Sequence, residues 1–258
     1  MSRDPLAPVT FQPIGVVRSC FKEKFGIPRQ PGLASAATAE LALQGAYAHP
    51  DCVRGLEGCS HIWLLFLFSE HLERGWTPLV RPPRAGGKKV GVFATRATFR
   101  PNPIGLSVVR LERIETRAGQ AVLHLSGVDL LDGTPVVDIK PYLPYADALD
   151  EAAFPFALDG QQQPQPVQFS AAAEAALRQH PQGHQLRQLI DEVLRCDPRP
   201  SYRRNDRQAR SYGVALMDQN VRWSHQDALI RVDTIEPRSA AAVCREPPQQ
   251  PCDPGGRH

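Results

Sequence analysis

Two arginines and an asparagine lie close together in one short proline-rich loop. Arg96, Arg100 and Asn102 fall within the segment ATRATFRPNPIG. The two prolines of this segment fix their own φ and favour extended geometry in the residues before them, which excludes a helix or a central strand there. A guanidinium group presents a rigid fork of N–H donors, so this loop suits an anionic or carboxylate-bearing ligand. A single arginine would be better explained as the partner of a surface acid.

Segments with the residue pattern of β-strands flank this loop. Residues 90–95 show a two-residue alternation, and residues 106–114 are rich in aliphatic and β-branched side chains. Residues 62–68 form a continuous apolar run of strand length, which predicts a strand buried on both faces. Turn signals separate such runs, and helical periodicity is scarce before residue 150. The sequence therefore predicts a compact β-rich domain over residues 8–150.

The pattern changes near residue 150. Residues 151–169 include DGQQQPQPVQ, whose composition is typical of a linker. Ser170 is a suitable N-cap for a helix over residues 171–179, and the apolar spacing of residues 186–194 predicts an amphipathic helix. Strands are predicted over residues 212–216, 221–223 and 229–235. We expect a small α+β domain over residues 170–238 and a disordered, Pro- and Gly-rich tail over residues 239–258.

Composition limits the class of protein without identifying it. The chain has 258 residues, of which 42% are hydrophobic and 22% charged, so it can bury a substantial core. Its net charge of +3 neither requires nor excludes nucleic acid. The six cysteines include no CxxC pair and no histidines at zinc-site spacing, so we expect reduced thiols and no metal. We find no signal-peptide pattern and no apolar run of membrane-spanning length, and therefore expect a cytoplasmic protein.

Five blocks of the first domain, the arginine loop among them, resemble one protein family. ATR followed by FRPNPIGLS is similar to a signature of the TrmO (YaeB-like) tRNA methyltransferases. The blocks stand in the family's order and cover most of residues 9–147, and the segment after residue 198 resembles the C-terminal domain of bacterial members. The other four blocks are FQPIGVVRS, KEKFGIPRQPGL, GLEGCSHIWLLFLF and GVDLLDGTPVVDIKPYLPYAD.

The resemblance implies a fold and an activity. It implies an enzyme that uses S-adenosylmethionine to methylate N6 of N6-threonylcarbamoyladenosine, a modified adenosine beside the anticodon of tRNA. It implies a mainly β fold whose N-terminal β-barrel-like domain binds the cofactor and forms a homodimer. The chain lacks the glycine-rich loop and the strand–helix alternation of a Rossmann methyltransferase, which agrees with another architecture.

The resemblance also assigns cofactor-binding positions. A ligand with adenine, ribose, sulfonium and amino-acid groups needs backbone donors and acceptors together with a few side chains. Asp132-Gly133 by itself would be interpreted as a hairpin turn, and only the ordered blocks favour a cofactor role. Ser69-Glu70 departs from the His-Gln pair that relatives often carry. The positions are Pro28, Arg29, Gln30, Ser69, Glu70, Arg96, Leu106, Asp132, Gly133, Thr134 and Pro135.

Asp138 and Lys140 are the candidate catalytic residues. The N6 nitrogen of the implied substrate is attached to a carbonyl group and is a poor nucleophile, so removal of its proton during attack would help. Asp138 could take this proton, and Lys140 could stabilise negative charge on the carbamoyl oxygen. Equally, an aspartate and a lysine two residues apart on one strand could form a structural ion pair.

Other side chains are candidates for binding the tRNA anticodon stem-loop. Arg100 and Asn102 could hold the threonine carboxylate, and Tyr142 and Tyr145 could stack on a base or pack at the barrel rim. The basic stretch over residues 199–210 could contact phosphate or be a solvated surface. It includes Arg199, Arg203, Arg204, Arg207 and Arg210, of which Arg203 and Arg204 are the main candidates.

Two other classes of function stay open at this point. A non-catalytic β-barrel module for RNA or anionic ligands would need the arginines but no S-adenosylmethionine site. A methyltransferase of the same fold could act on another substrate.

His61 and Trp63 are expected to be core or interface residues.

Overall fold

The computed structural model of the chain describes residue 4 and residues 6–82, 88–154, 165–199, 210–226 and 229–238. The predicted tail over residues 239–258 lies outside this range, as do Arg203 and Arg204. The strands are β1 (Gly15–Ser19), β2 (Thr38–Leu43), β3 (His61–Leu67), β4 (Leu79–Val80), β5 (Val90–Gly91), β6 (Ile104–Arg117), β7 (Gln120–Ser126), β8 (Pro135–Pro141), β9 (Val167–Phe169), β10 (Arg210–Leu216), β11 (Gln219–Gln226) and β12 (Leu229–Pro237). The α-helices are α1 (Pro144–Asp147), α2 (Ala171–Gln179) and α3 (Gly183–Arg195).

Six strands close into an antiparallel barrel in the order β1-β2-β7-β6-β3-β8. Side chains alternate along each strand, so every second residue points into the barrel. In β3 the interior side chains Ile62 and Leu64 are fully buried, whereas the residues between them are partly exposed. The prediction that this strand is buried on both faces is therefore wrong for the single chain, because the barrel covers only its inner face.

A long excursion connects β3 to β6. It contains a short helix of 3-10 type, Ser69–Arg74, and the two-stranded sheet formed by β4 and β5. The strand predicted over residues 90–95 ends at Gly91 and continues as a 3-10 turn, Val92–Ala94. Thr95 closes this turn, since both its backbone N–H and its hydroxyl donate to the Val92 carbonyl, at 3.2 and 2.9 Å. Further 3-10 turns precede β3, at Gly45–Ala48, Pro50–Val53 and Leu56–Gly58.

The second unit is a four-stranded sheet in the order β10-β11-β12-β9, with α2 and α3 packed against it. Both helices lie where the sequence predicts them. The Ser170 hydroxyl accepts a hydrogen bond from the Ala173 N–H at 3.0 Å and so caps α2. Val167–Phe169, the last three residues of the predicted linker, pair with β12 and extend this sheet.

The two units share a hydrophobic core and several polar contacts. Phe21, after β1, is fully buried and forms a bridge with Leu216 of β10. The Glu23 carboxylate accepts a hydrogen bond from the Ala215 N–H at 2.9 Å, and the Glu192 carboxylate of α3 accepts one from the Ala36 N–H at 2.8 Å. No helix in the described part of the chain is long and apolar enough to cross a membrane.

Candidate functional site

The loop between β1 and β2, residues 20–37, brings together two groups of predicted cofactor positions. The Arg96 guanidinium donates a hydrogen bond to the Gln30 side-chain oxygen at 2.6 Å, which joins this loop to the arginine loop. The Lys24 ammonium lies 3.0 Å from the Glu70 carboxylate and joins the same loop to the 3-10 helix after β3. Arg29 and Gln30 are exposed, whereas Pro28 is buried.

The predicted turn over residues 132–135 lies at the other end of this loop. The Asp132 carboxylate accepts a hydrogen bond from the Ser19 N–H at 2.8 Å and lies 3.0 Å from the Lys22 ammonium. Gly133 adopts a φ of 82°, a left-handed conformation that favours glycine. The turn does not connect paired strands, because β7 and β8 are not neighbours in the barrel. It is thus a tight corner that holds the end of β1, and not a β-hairpin.

One carboxyl group near these cofactor positions was not predicted from the sequence. Asp129 lies between β7 and β8, and its side chain accepts a hydrogen bond from the Ser107 hydroxyl at 2.7 Å. Burial raises the pKa of Asp129 to about 6, although the Ser107 hydroxyl and the Arg96 charge act in the opposite direction. The available signal was a single acid between apolar residues, since Val128 and Leu130 are both buried.

The predicted catalytic pair lies on the outer face of the barrel. The Lys140 ammonium is 2.9 Å from the Asp138 carboxylate, and both side chains are substantially exposed. The second Asp138 oxygen accepts a hydrogen bond from the Ile139 N–H at 2.9 Å. Asp138 and Leu106 both pair with Leu65 of β3, so the three side chains share this outer face. Leu106 is 47% exposed there.

Arg100 is partly used to hold its own loop. Its guanidinium donates to the carbonyl oxygens of Thr95 and Val92, at 2.7 and 3.3 Å, and lies 5.7 Å from the centre of the Phe93 ring. An arginine has five N–H donors, so these contacts stiffen the loop without using all of them. Asn102 is exposed at the end of the same loop. The loop therefore presents Arg100 and Asn102 from a braced backbone.

Aromatic side chains gather where β8 ends. The rings of Tyr142 and Trp63 have centroids 5.7 Å apart, and the Trp63 indole N–H donates to the Asp147 carboxylate at 2.9 Å. Hydrogen bonds from the Leu143 backbone N–H and from Trp63 lower the pKa of Asp147. Tyr145, in contrast, is 86% exposed. Tyr142 is thus part of a packed cluster, whereas Tyr145 is free of such packing.

Of the basic stretch over residues 199–210, the structure describes only the two ends, Arg199 and Arg210; Arg207 lies outside the described residues. The Arg199 guanidinium lies 2.8 Å from the Asp197 carboxylate, and both side chains are 2% exposed. The proposed phosphate contact is therefore wrong for Arg199, because its charge is buried and paired. Arg210 is exposed at the start of β10.

A separate cleft of about 460 Å³ lies between the barrel and the second unit. It contains none of the predicted cofactor residues, although Lys22 on its wall lies 3.0 Å from the Asp132 carboxylate. Arg117 lowers the pKa of Glu40, and the Glu40 carboxylate also lies 3.5 Å from a nitrogen of His124. Within the described residues, no three side chains of His, Cys, Asp or Glu form a group that could hold a metal ion.

Comparison with known proteins identifies the family. Residues 16–148 match the model of the tRNA-methyltransferase O N-terminal domain, and residues 162–238 match that of the TrmO C-terminal domain. The chain belongs to the TrmO family. The barrel and the second unit thus correspond to the two domains of that family, which confirms the resemblance drawn from the sequence blocks.

Individual TrmO-family relatives match over nearly the whole chain. The tRNA (adenine(37)-N6)-methyltransferase of Escherichia coli (strain K12) is 49% identical over 233 residues, which cover 88% of this chain and 98% of that protein. A putative S-adenosylmethionine-dependent methyltransferase RcsF of Pseudomonas aeruginosa is 52% identical over 227 residues, covering 85% and 94%. A crystal structure of TrmO from P. aeruginosa has a TM-score of 0.73 and 44% identity, covering 92% of this chain and all of that one.

Proposed function

We propose that this chain is an S-adenosylmethionine-dependent methyltransferase that acts on N6 of adenine 37 in tRNA. The observation that carries the proposal is the 49% identity, over 88% of the chain, to a relative named for that reaction. We further propose that the substrate nucleoside is N6-threonylcarbamoyladenosine. The arginine loop supports this substrate, because it presents Arg100 and Asn102 as donors for the threonine carboxylate.

The residues around the β1–β2 loop fit S-adenosylmethionine. The cofactor supplies an activated methyl group on a sulfonium centre. Arg96 and Gln30 offer side-chain donors and an acceptor at one point. The turn containing Gly133 and Thr134 offers backbone carbonyl groups, since its N–H groups donate to Val17 and Leu131. Leu106 and Pro28 add apolar contact area. Ser69 and Glu70 lie beside these residues through the contact between Glu70 and Lys24.

Methyl transfer by in-line displacement depends chiefly on positioning and on excluding water. Asp138 is the proposed acceptor of the N6 proton, and Lys140 the proposed partner for charge on the carbamoyl oxygen. The 2.9 Å contact between these two groups supports a joint role, since proton uptake by Asp138 would release Lys140 to another anion.

Exposed aromatic and basic groups near the arginine loop support binding of a single-stranded RNA loop. Phe93 is 74% exposed and Trp76 57% exposed, and Arg100 lies against Phe93. Exposed aromatic rings stack on unpaired bases, and nearby cations neutralise phosphate. We include Tyr142 and Tyr145 in this proposed surface, together with Arg203 and Arg204, which lie outside the described residues.

The assembly is proposed to be a homodimer in the cytoplasm. Partly exposed apolar side chains form a row on the outer face of the barrel, where β3 pairs with β6. Covering such a row with a second copy would bury apolar area. Sedimentation equilibrium of the full chain tests this, and a monomer at all concentrations contradicts it. The row consists of Trp63, Leu65, Leu67, Ile104 and Val108, and it borders the cofactor position Leu106.

Calorimetric titration with S-adenosylmethionine tests the cofactor. We expect saturable binding to the wild type and a loss of about tenfold or more for Arg96→Ala, because charge-assisted hydrogen bonds contribute roughly 1.5–3 kcal/mol. Arg195→Ala is the matched control, since Arg195 belongs to the second domain and pairs with Asp191. A folded wild type that binds no S-adenosylmethionine excludes the enzyme and favours the RNA-binding module.

Nucleoside analysis of treated tRNA tests the substrate. We expect methylation of tRNA that carries N6-threonylcarbamoyladenosine and none of the same tRNA with unmodified adenosine 37. Equal methylation of both tRNAs would contradict a role for the threonine carboxylate. Cofactor binding without methylation of either tRNA would point to a methyltransferase with another substrate.

A further inference from the structure

Asp129 is a carboxyl group that the proposed reaction does not yet use. It lies in the link between β7 and β8, where its neighbours Val128 and Leu130 are each 1% exposed and Asp129 itself is partly exposed. One oxygen of its carboxylate accepts a hydrogen bond from the Ser107 hydroxyl at 2.7 Å. Keeping an ionised carboxylate in such a place costs free energy, as its raised pKa indicates. A group held there against that cost is a candidate for binding a cation.

The position of Asp129 lies among the predicted cofactor residues. The Gly32 N–H donates to the Gly127 carbonyl at 2.8 Å, which joins the chain two residues after Gln30 to the chain two residues before Asp129. Arg96 is close enough for its charge to act on Asp129, and Arg96 also contacts Gln30. A positive and a negative side chain from two different segments therefore stand near each other in one site.

This pair of charges matches one part of S-adenosylmethionine. The amino-acid end of the cofactor carries a carboxylate and an ammonium group on the same carbon atom. A guanidinium complements the carboxylate, and a carboxylate complements the ammonium group. We propose that Asp129 accepts a hydrogen bond from the α-ammonium group of S-adenosylmethionine while Arg96 binds its carboxylate. The inference rests on the proposed function and adds an anchoring residue for the cofactor.

Two other roles for Asp129 make different predictions. As a purely structural partner of Ser107, it would support the barrel and leave cofactor affinity unchanged. As a ligand for the ribose hydroxyls, it would bind any compound that contains the adenosine part. These roles separate when the ligand is changed, because 5′-methylthioadenosine keeps adenine, ribose and sulfur but lacks the amino-acid end.

Calorimetric titration of the full chain with S-adenosylmethionine and with 5′-methylthioadenosine tests the inference. For Asp129→Asn we expect S-adenosylmethionine affinity to fall by about 10-fold to 100-fold, the size of one charge-assisted hydrogen bond. Affinity for 5′-methylthioadenosine should stay within about twofold on the same grounds. Asp191→Asn, in the second domain, is the control and should change neither affinity.

The pH dependence gives a second readout. Protonation of Asp129 in the free protein should weaken binding of S-adenosylmethionine as the pH falls through about 6. Arg96, the charged group that acts on Asp129, stays protonated throughout, and Ser107 does not titrate in this range. The weakening should be absent in Asp129→Asn and absent for 5′-methylthioadenosine.

Ser107→Ala tests the same assignment if the Asp129→Asn variant does not fold. It removes the hydroxyl that positions the carboxylate, and we expect a smaller loss, of about threefold to tenfold, again for S-adenosylmethionine alone. Equal losses for both ligands, or no loss for either, would overturn the assignment. Under either of these outcomes, a wild type that binds S-adenosylmethionine still supports the proposed methyltransferase. A wild type that binds neither ligand contradicts both the methyltransferase and the role of Asp129.

Discussion

The Asp138 carboxylate already has a partner for each of its oxygens. One lies 2.9 Å from the Lys140 ammonium, and the other accepts the N–H of Ile139. A carboxylate has about four lone-pair sites, so Asp138 can still accept the N6 proton, and this proton uptake weakens its hold on Lys140. With 61% and 44% of the Lys140 and Asp138 side chains exposed, the ion pair itself contributes little to stability. Its side chains are therefore available for a change of partner.

Replacement of Asp138 by asparagine tests the proposed base. Because general base catalysis typically contributes about 10²- to 10⁴-fold, we expect kcat on saturating modified tRNA to fall by at least about tenfold. Affinity for S-adenosylmethionine should not change. Single-turnover kinetics measures the step directly, with Lys140→Ala as the companion variant. A fall of less than about tenfold in Asp138→Asn would exclude a general base of the usual size and leave the structural ion pair as the explanation.

At the residue scale, the sequence predicted which residues and motifs belong to the site better than it predicted which side chains contact one another. The arginine loop was found because two prolines and two arginines occur within a few residues. Asp129 was missed because one acid in an apolar run has no local pattern, and its partner Ser107 is 22 residues away. Arg199 was placed on a basic surface, although the fold buries it against Asp197. Burial of a charge depends on tertiary contacts that a charge pattern does not contain.

At the element scale, the close approach of β3 and β6 depends on Gly105. A Cβ atom placed on Gly105 would lie 2.2 Å from the ring of Phe66, which is 6% exposed inside the barrel. The glycine leaves the space that the aromatic ring fills. This packing stands next to Leu106 and Ser107, so it also fixes the backbone that carries two site residues.

Gly105→Ala is expected to destabilise the protein by about 1–3 kcal/mol, since overpacking a filled core forces side chains out of their rotamers. Urea denaturation followed by circular dichroism measures the change. Gly91→Ala is the control, because no atom lies within 4 Å of its added Cβ. If Gly105→Ala is as stable as Gly91→Ala, the ring of Phe66 can move and the barrel is less tightly packed than described.

The strand predictions succeeded where one face of the strand is buried along its length. They failed where a turn interrupts the strand. Residues 106–114 fall within β6, whose buried and more exposed side chains alternate from Ile104 to Leu111. The alternation over residues 90–95 predicts a strand, but β5 ends at Gly91 because Thr95 closes a turn on Val92. Local hydrogen bonds from threonine compete with strand pairing, and a pattern of apolar residues does not report them.

At the scale of the whole molecule, the second domain holds the loop that carries the site. Residues 20–37 contain Lys24 and Gln30, which contact Glu70 and Arg96. The same loop is fixed at one end by the bridge between Phe21 and Leu216. Further along, contacts with α3 hold it again. The domain boundary was predicted from linker composition. The contacts by which the second domain holds this loop could not be predicted, because they join segments more than 150 residues apart.

Glu192 of α3 is the clearest single contact in this support. Its carboxylate accepts hydrogen bonds from the Ser35 hydroxyl and from the Ala36 N–H, both at 2.8 Å. Removing it in Glu192→Ala leaves these two loop donors, and the Gln188 amide of α3, without this acceptor. Hydrogen bonds to charged groups contribute about 1.5–3 kcal/mol. We expect the loop to loosen and the Kd for S-adenosylmethionine to rise by about threefold to tenfold, although Glu192 touches no predicted cofactor residue.

The matched control for this prediction is Glu174→Ala. Glu174 forms an ion pair with Arg187 inside the second domain, at 2.6 Å, and does not reach the loop. Calorimetric titration of both variants separates a supporting role from a general loss of stability. If Glu192→Ala lowers the unfolding free energy but binds S-adenosylmethionine as tightly as Glu174→Ala, the loop is held by its contacts within the barrel. If only Glu192→Ala loses affinity, the second domain positions the cofactor site from a distance through residues 35 and 36.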